Sequence, residues 1–247
     1  MTINSADHKR DGAGLFALLG LIPMPSDFVT DPATIHGSRI PADPANFGDD
    51  IAWDDHKLAY MAARVMGKDV LDLGCVQHDP ENYRSRYWLH RALREKAASI
   101  LGLDLSRDGV AALSARGLEI VHGDAQNFDL SRSFDVIVAG DLMEHLEDFA
   151  GFFTSVKRHL RPGGALLVST PNPWYWRNIA KAVLRAEVDN NPEHTCWFDP
   201  RTLRQLAARH DMSLGEIAFG SRYSRDRLMP LPRGIKHTSW HATLRGG

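Results

Sequence analysis

The chain reads as an α/β protein built on a mostly parallel sheet with helices on both faces. Three observations carry that expectation. Short apolar runs alternate with helical patterns along residues 54–220. Most of these runs are almost continuously hydrophobic, as strands buried on both faces are. The first, "VLDLGC", closes on Gly74, where the missing Cβ permits a tight turn and close approach by a ligand.

The elements follow in order. Residues 54–66, "DDHKLAYMAARVM", have helical spacing and lead into the first strand at 70–73. Further strands are expected in "SILGLDL", "LEIVHG", "FDVIVAGD" and "GALLVST", with helices over about 81–97, 107–116, 147–160 and 200–210. The helix at 200 carries its own start signal, Asp199 as N-cap and Pro200 at the first helical position. Pro162, Gly163 and Gly164 read as a structural turn between helix and fifth strand. "MSLGEIAF" and "HTSWHATL" supply strands six and seven, the last antiparallel. Residues 1–50 hold five prolines between Pro23 and Pro44 and no sustained period. They are expected to form an N-terminal arm or lid with a short helix near 15–21. Residues 51–247 are the domain.

Composition narrows the function classes. A chain of 247 residues with 43% hydrophobic residues suits one sizeable core, and a net charge of −2 gives no global reason to bind nucleic acid. Two cysteines, Cys75 and Cys196, make neither a disulfide framework nor a metal-type pair, so a reducing, cytoplasmic setting is expected and no metal site is read. The first residues lack a signal-peptide layout, and their apolar run is far short of the ~20 residues a membrane span needs.

In open α/β sheets ligands bind beyond the carboxyl ends of the strands, so the residues there matter most. Strand one ends in Asp72, Gly74 and Cys75, and strand two in Asp104, whose carboxylate can accept both hydrogen bonds of a ribose diol. A dinucleotide site puts that acid ~20 residues past its turn. Asp104 lies thirty positions after Gly74, and the surplus falls in "VQHDPENYRSRYWLHRALREK", which also replaces the usual glycines. After strand three, Asp124 can accept from an exocyclic adenine amine while Ala125 and Phe128 border the base. Strand four runs into "AGDLMEHLED", with Asp141, Glu144 and His145 at the crevice mouth.

Taken in order, "VLDLGC", "LGLDLS", "HGDAQ", "FDVIVAGDLMEHLED", "LRPGGALLVSTPNP" and "HTCWFDPRTL" resemble the class I S-adenosylmethionine-dependent methyltransferases, in the branch that methylates quinone, sugar and natural-product acceptors. The resemblance implies a Rossmann-like sheet and S-adenosyl-L-methionine as cofactor. It implies cofactor contacts from Asp72, Gly74, Cys75, Asp104, Leu105, Asp124, Ala125 and Gly140. The repeated glycines of the family turn are absent here. S-adenosylmethionine has no pyrophosphate, so one glycine can suffice. Residues 76–86 are expected to close over its methionine end.

His145 is the expected catalytic residue, a general base for the acceptor hydroxyl or amine, weighed against a histidine that only shapes the pocket. His194 is a second candidate for the crevice, and His78 and Asp79 for the cofactor. Asn172 reads as turn chemistry, with Trp174 and Trp176 lining or lidding the pocket. The run Arg222, Arg225, Arg227, Arg233 and Lys236 favours an anionic acceptor if it folds over the crevice. The function expected is methyl transfer to an oxygen or nitrogen of a small-molecule acceptor such as a sugar or natural-product intermediate. A homodimer is allowed. Two other classes stand beside it: a non-catalytic cofactor-binding scaffold and a nicotinamide oxidoreductase.

Overall fold

A computed structural model describes residues 55–185, 191–221, 226 and 228–246. The expected arm at 1–50, its helix at 15–21, and Arg222, Arg225 and Arg227 lie outside the described residues. Seven strands form one sheet: β1 (Asp69–Leu73), β2 (Ser99–Asp104), β3 (Ile120–His122), β4 (Phe134–Gly140), β5 (Leu160–Pro171), β6 (Met212–Gly220) and β7 (Ser239–Gly246). Their order is β3-β2-β1-β4-β5-β7-β6. The first five are parallel, whereas β7 pairs antiparallel with both β5 and β6. The antiparallel strand is thus last in the chain but one in from the edge of the sheet. The helices are α1 (Asp55–Arg64), α2 (Leu89–Arg94), α3 (Arg107–Ser114), α4 (Phe149–His159), α5 (Trp176–Arg185), α6 (Pro200–Ala208) and α7 (Arg233–Lys236).

Period-two alternation along the central strands divides the core between the two faces of the sheet. Val70, Val136, Val138 and Leu167 pack with Tyr60 and Met61 of α1, with Val65 just beyond it, and with Leu89 and Leu93 of α2. Their neighbours Leu71, Ile137, Leu166 and Val168 pack with Phe152, Phe153 and Val156 of α4 and with Leu203 of α6. On that side Trp240 is fully buried, and its indole N–H donates to the Phe198 carbonyl at 3.0 Å.

Two expected elements come out differently, and two helices appear that the sequence did not predict. The single helix over 81–97 is a 3-10 turn, Pro80–Arg84, followed by the separate α2. Ser85 and Trp88 break it, both held in extended backbone, with the Trp88 indole anchored to the Cys75 carbonyl at 2.7 Å. The Pro162-Gly163-Gly164 turn lies inside β5 as an irregularity. Pairing jumps from Phe134 with Leu160 to Val136 with Ala165, and Gly163 takes a left-handed φ of 76°. Helices α5 and α7 were not expected, because short segments rich in turn residues precede both.

Gly102 shows how tightly β2 carries its neighbours. A Cβ there would lie 2.6 Å from Cys75 Sγ and 2.9 Å from Ile120 Cγ1. Gly102→Ala should therefore lower unfolding stability by about 1–3 kcal/mol through overpacking, read as a lower urea midpoint at unchanged slope.

Candidate active site

The sheet reverses its order between β1 and β4, and a cleft of about 890 Å³ opens at the carboxyl ends of the strands there. Gly74, Asp104, Leu105, Asp124, Ala125, Gly140 and His145, all expected from sequence, line it together. Asp72 and Cys75 do not. Asp72 follows Val70 by two residues and so points to the same face of the sheet, where His90 of α2 meets its carboxylate at 2.9 Å in a fully buried pair. Burial pushes the Asp72 carboxyl up, against the lowering effect of His90. Cys75 is buried against Val76 and Trp88, and burial holds its thiol far above its usual range.

The glycine-poor loop after β1 is ordered by hydrogen bonds. Gly74 takes φ 72°, and Gln77 and His78 take φ of 55° and 66°, a conformation that favours glycine. The loop is held by Val76 N–H donating to Asp104 Oδ2 at 2.8 Å and by buried Asn82, whose amide donates to the Gln77 carbonyl at 2.8 Å. His78 and Tyr87 line the cleft. Asp79 instead caps the 3-10 turn by accepting from Glu81 N–H, and Tyr83 lies under the Arg116 guanidinium on the α3 side. The loop therefore reaches the cleft through His78 and Gln77, while Asp79 and Tyr83 support it from outside.

Asp104 anchors the second wall. Its Oδ1 accepts from Ser106 N–H at 2.9 Å, and Ser106 in turn caps α3. Each carboxylate oxygen keeps lone-pair capacity beyond these bonds. Asp124 closes its own turn by accepting from Gln126 N–H at 2.8 Å. The Gln126 side-chain oxygen then accepts from Glu147 and Asp148 N–H at 2.8 and 2.6 Å, tying the loop after β3 to the start of α4.

The third wall carries the titratable groups. Asp141 has a left-handed φ of 50°, pairs with Lys57 of α1 at 2.6 Å and accepts from Ser169 Oγ at 2.6 Å. Burial works to raise its pKa, but Lys57 and Ser169 together hold it down, to about 2. Glu144 is 1% exposed, and neither carboxylate oxygen has a hydrogen-bond partner among the described residues. Burial first, and the Asp141 charge second, push it up to about 8. Two neighbouring carboxyls are thus held in opposite states at pH 7, one ionised and one neutral.

His194 reaches the same place through a strap. Thr195 N–H donates to the Glu144 carbonyl at 2.8 Å, and Thr195 Oγ1 donates to the Leu146 carbonyl at 2.7 Å. The His194 ring meets His145 edge-on at 4.7 Å between centroids, and the His78 ring lies 5.8 Å from His145. Burial, then the adjacent imidazole, lowers the pKa of both His145 and His194, so both are neutral at pH 7. Glu144, His145 and His194 bring donor atoms within 4.8 Å of one another, two imidazoles and a carboxyl of the kind a divalent transition ion accepts. Sequence reasoning named His145 and His194 but gave Glu144 no role, since nothing local to it foretold burial without a partner.

Asn172 is turn chemistry, its amide donating to the Gly234 and His237 carbonyls at 2.8 Å each. Trp174 is 55% exposed and bonded to Asp199, so Tyr175 lines the cleft in its place.

A seven-stranded Rossmann-like sheet with an acid closing β2 and a titratable turn after β4 defines a class, the S-adenosylmethionine-dependent methyltransferases. The chain belongs to the methyltransferase-domain family, whose model matches residues 52–214. It is 38% identical over 183 residues to a probable S-adenosylmethionine-dependent methyltransferase of Mycolicibacterium smegmatis, across 65% of this chain and 68% of that protein. It is 35% identical over 118 residues to a fatty-acid O-methyltransferase of the same organism, across 46% and 40%. It is 34% identical over 170 residues to the phthiotriol/phenolphthiotriol dimycocerosates methyltransferase of Mycobacterium leprae, across 66% and 55%. The chain thus spans from two fifths to two thirds of these relatives' own lengths. Among solved structures it superposes on a glycopeptide N-methyltransferase complexed with S-adenosyl-L-methionine, with TM-score 0.53, 18% identity, and 79% and 88% of the two chains covered.

The raised Glu144 pKa has a consequence for stability. Folding favours the neutral acid, so its contribution is complete below the ordinary carboxyl value of 4.5 and is lost as pH rises through about 8. Between those limits the ligand-free wild type should lose stability relative to Glu144→Gln, whose side chain cannot ionise. Parallel urea titrations of the two proteins across that range measure the difference.

Proposed function

We propose that this chain transfers a methyl group from S-adenosylmethionine to an oxygen or nitrogen of a small-molecule acceptor that carries a long apolar portion. One observation carries the reading: Asp104, Ala125 and His145, from three different strand ends, line one cleft at the switch point of a methyltransferase fold. The residues fit the cofactor. Asp104 offers acceptor capacity for a ribose diol, Leu105 and Ala125 offer apolar flanks for an adenine, and Gly74 leaves backbone open at the methionine end. Asp72 and Cys75 act from behind, Asp72 by fixing α2 through His90 and Cys75 by giving its carbonyl to Trp88.

When bound, S-adenosylmethionine supplies a methyl group already activated on a sulfonium, so the protein contributes alignment, exclusion of water and one base. His145 accepts the proton that the acceptor loses as the new bond to carbon forms. Its lowered pKa keeps the imidazole in the accepting state at neutral pH. His194 and His78 border it and set its ring position. The ionised Asp141, neutralised by Lys57, stabilises the imidazolium that results.

The apolar portion of the acceptor is supported by the names of the relatives, which act on a fatty acid and on dimycocerosates. That weighs toward a lipid rather than a sugar. Binding of S-adenosylmethionine without turnover on any acceptor would favour the scaffold reading, and binding of a nicotinamide in its place would favour an oxidoreductase.

Two measurements test the assignments. Asp104→Asn should weaken S-adenosylmethionine binding by about 1.5–3 kcal/mol in calorimetry, the range for a hydrogen bond to a charged group. Unchanged affinity in the folded variant would sink the ribose assignment. His145→Ala should lower turnover by ~10²–10⁴ while leaving cofactor affinity nearly intact. Wild-type single-turnover rates should fall as pH drops through the lowered His145 pKa, and the variant should lack that limb. A variant that keeps the limb and loses less than about tenfold would make the site one that works by alignment alone.

A further inference from the structure

One buried group in the cleft has no use in the reaction described above. Glu144 sits in the turn after β4 at 1% exposure, and neither of its carboxylate oxygens has a hydrogen-bond partner among the described residues. The Thr170 hydroxyl eases its ionised form without bonding to it. Lys57, the nearby cation, is paired with Asp141 at 2.6 Å. A buried polar group left without a partner is rare in native proteins, and a water or an ion is the usual complement.

The groups around the carboxylate favour an ion. His145 follows Glu144 in the chain, and His194 arrives on the strap that Thr195 fastens to the Glu144 and Leu146 carbonyls. One donor atom from each of the three lies within 4.8 Å of the others. Donors sharing one tetrahedral ion at about 2.1 Å lie about 3.4 Å apart, so this set closes on an ion by side-chain shifts of about 1 Å. The two rings already meet edge-on with centroids 4.7 Å apart. Two imidazoles on one ion need roughly 5 Å. All three residues line the cleft, which leaves an ion a path in. A water gives two hydrogens to three converging acceptors, whereas a cation answers all three. Two imidazoles and one carboxylate suit zinc and its transition-metal neighbours, while magnesium and calcium prefer oxygen alone. The Cys196 thiol does not join them, since it is turned to the Met143 carbonyl at 3.8 Å. A count of cysteines passes over such a site, which needs none.

We propose that Glu144, His145 and His194 bind a divalent transition-metal ion such as Zn²⁺, and that the bound ion blocks methyl transfer. The blockade rests on the base assigned above. A neutral imidazole has one lone pair in its plane, and a bond to a metal leaves none for the acceptor's proton. Binding is reversible, so a chelator frees the base.

The test is calorimetry of the chelator-stripped full chain with Zn²⁺, beside absorption spectra of the same protein with Co²⁺. One Zn²⁺ per chain is expected at about micromolar affinity or tighter, with Mg²⁺ not competing. Co²⁺ should show the intense visible bands of an ion held by imidazole instead of water. Glu144→Gln and His194→Ala should each weaken Zn²⁺ by at least about tenfold. Glu144→Gln keeps the size of the side chain, and a urea midpoint no lower than that of the wild type shows it folded. Binding that neither substitution weakens overturns the site and marks ions held by surface histidines. Binding no tighter than about 1 mM overturns it as well. In turnover assays, saturating Zn²⁺ should slow the stripped wild type by the ~10²–10⁴ expected for loss of a base, and chelator should restore the rate. Glu144→Gln should need proportionally more Zn²⁺ for the same slowing. Zn²⁺ that binds and leaves turnover unchanged or raises it overturns the blockade. A stripped wild type that binds Zn²⁺ and methylates no acceptor removes the methyl-transfer reading and leaves the metal site standing.

Discussion

The carboxylate of Asp104 is the constraint on which the rest of the cleft depends. It closes β2 at 9% exposure and accepts from Val76 N–H in the loop after β1 and from Ser106 N–H at the start of α3. Hydrogen bonds to a charged group contribute about 1.5–3 kcal/mol each, so this one side chain holds two loops against two strand ends. The hold matters most for Gln77 and His78. A non-glycine residue in the left-handed region costs roughly 1–2 kcal/mol, and two in succession persist only because their flanks are tied. Asn82 and the Trp88 indole supply the other ties. Strain and anchorage together aim His78 at the ring of His145.

The opposite wall is organised by charge. Lys57 crosses from α1 to Asp141, and the ionised Asp141 raises the cost of a second negative charge on Glu144 nearby. Glu144 stays neutral and buried, and the His145 and His194 imidazoles are held down by burial first, then by His78 beside His145 and by His145 beside His194. A site that must receive one proton benefits from this arrangement, because its two imidazoles start unprotonated while the nearby carboxyl already holds its proton. The backbone contributes as well. Thr195 fastens the segment holding His194 to the carbonyls of Glu144 and Leu146, so both histidines move as one unit with the turn after β4.

The helix beyond Asn172 belongs to the same economy of positions. Asn172 locks its turn to the carbonyls before β7, Tyr175 and Trp176 close over Asp226, and α5 is left to project from the rim.

Much of this protein was legible without coordinates, wherever the cause is short-range. Near-continuous apolar runs placed the strands, because a strand buried on both faces has no polar side to display. Asp199 and Pro200 announced α6, because a cap acts within three residues, and the structure adds the reciprocal bond from Thr202. The strand-end rule likewise brought Gly74, Asp104, Ala125, Gly140 and His145 to one cleft. Tertiary structure decided the rest. Asp72 turns away from the cleft because His90 waits on the face it shares with Val70. The left-handed Gln77 and His78 depend on an acceptor twenty-eight residues away from Val76. The Lys57–Asp141 pair joins positions eighty-four residues apart, and Glu144 owes its neutrality to burial that no local pattern encodes. Periodicity and capping are set by neighbours along the chain, whereas the protonation states and backbone strain of the site are set by neighbours across it.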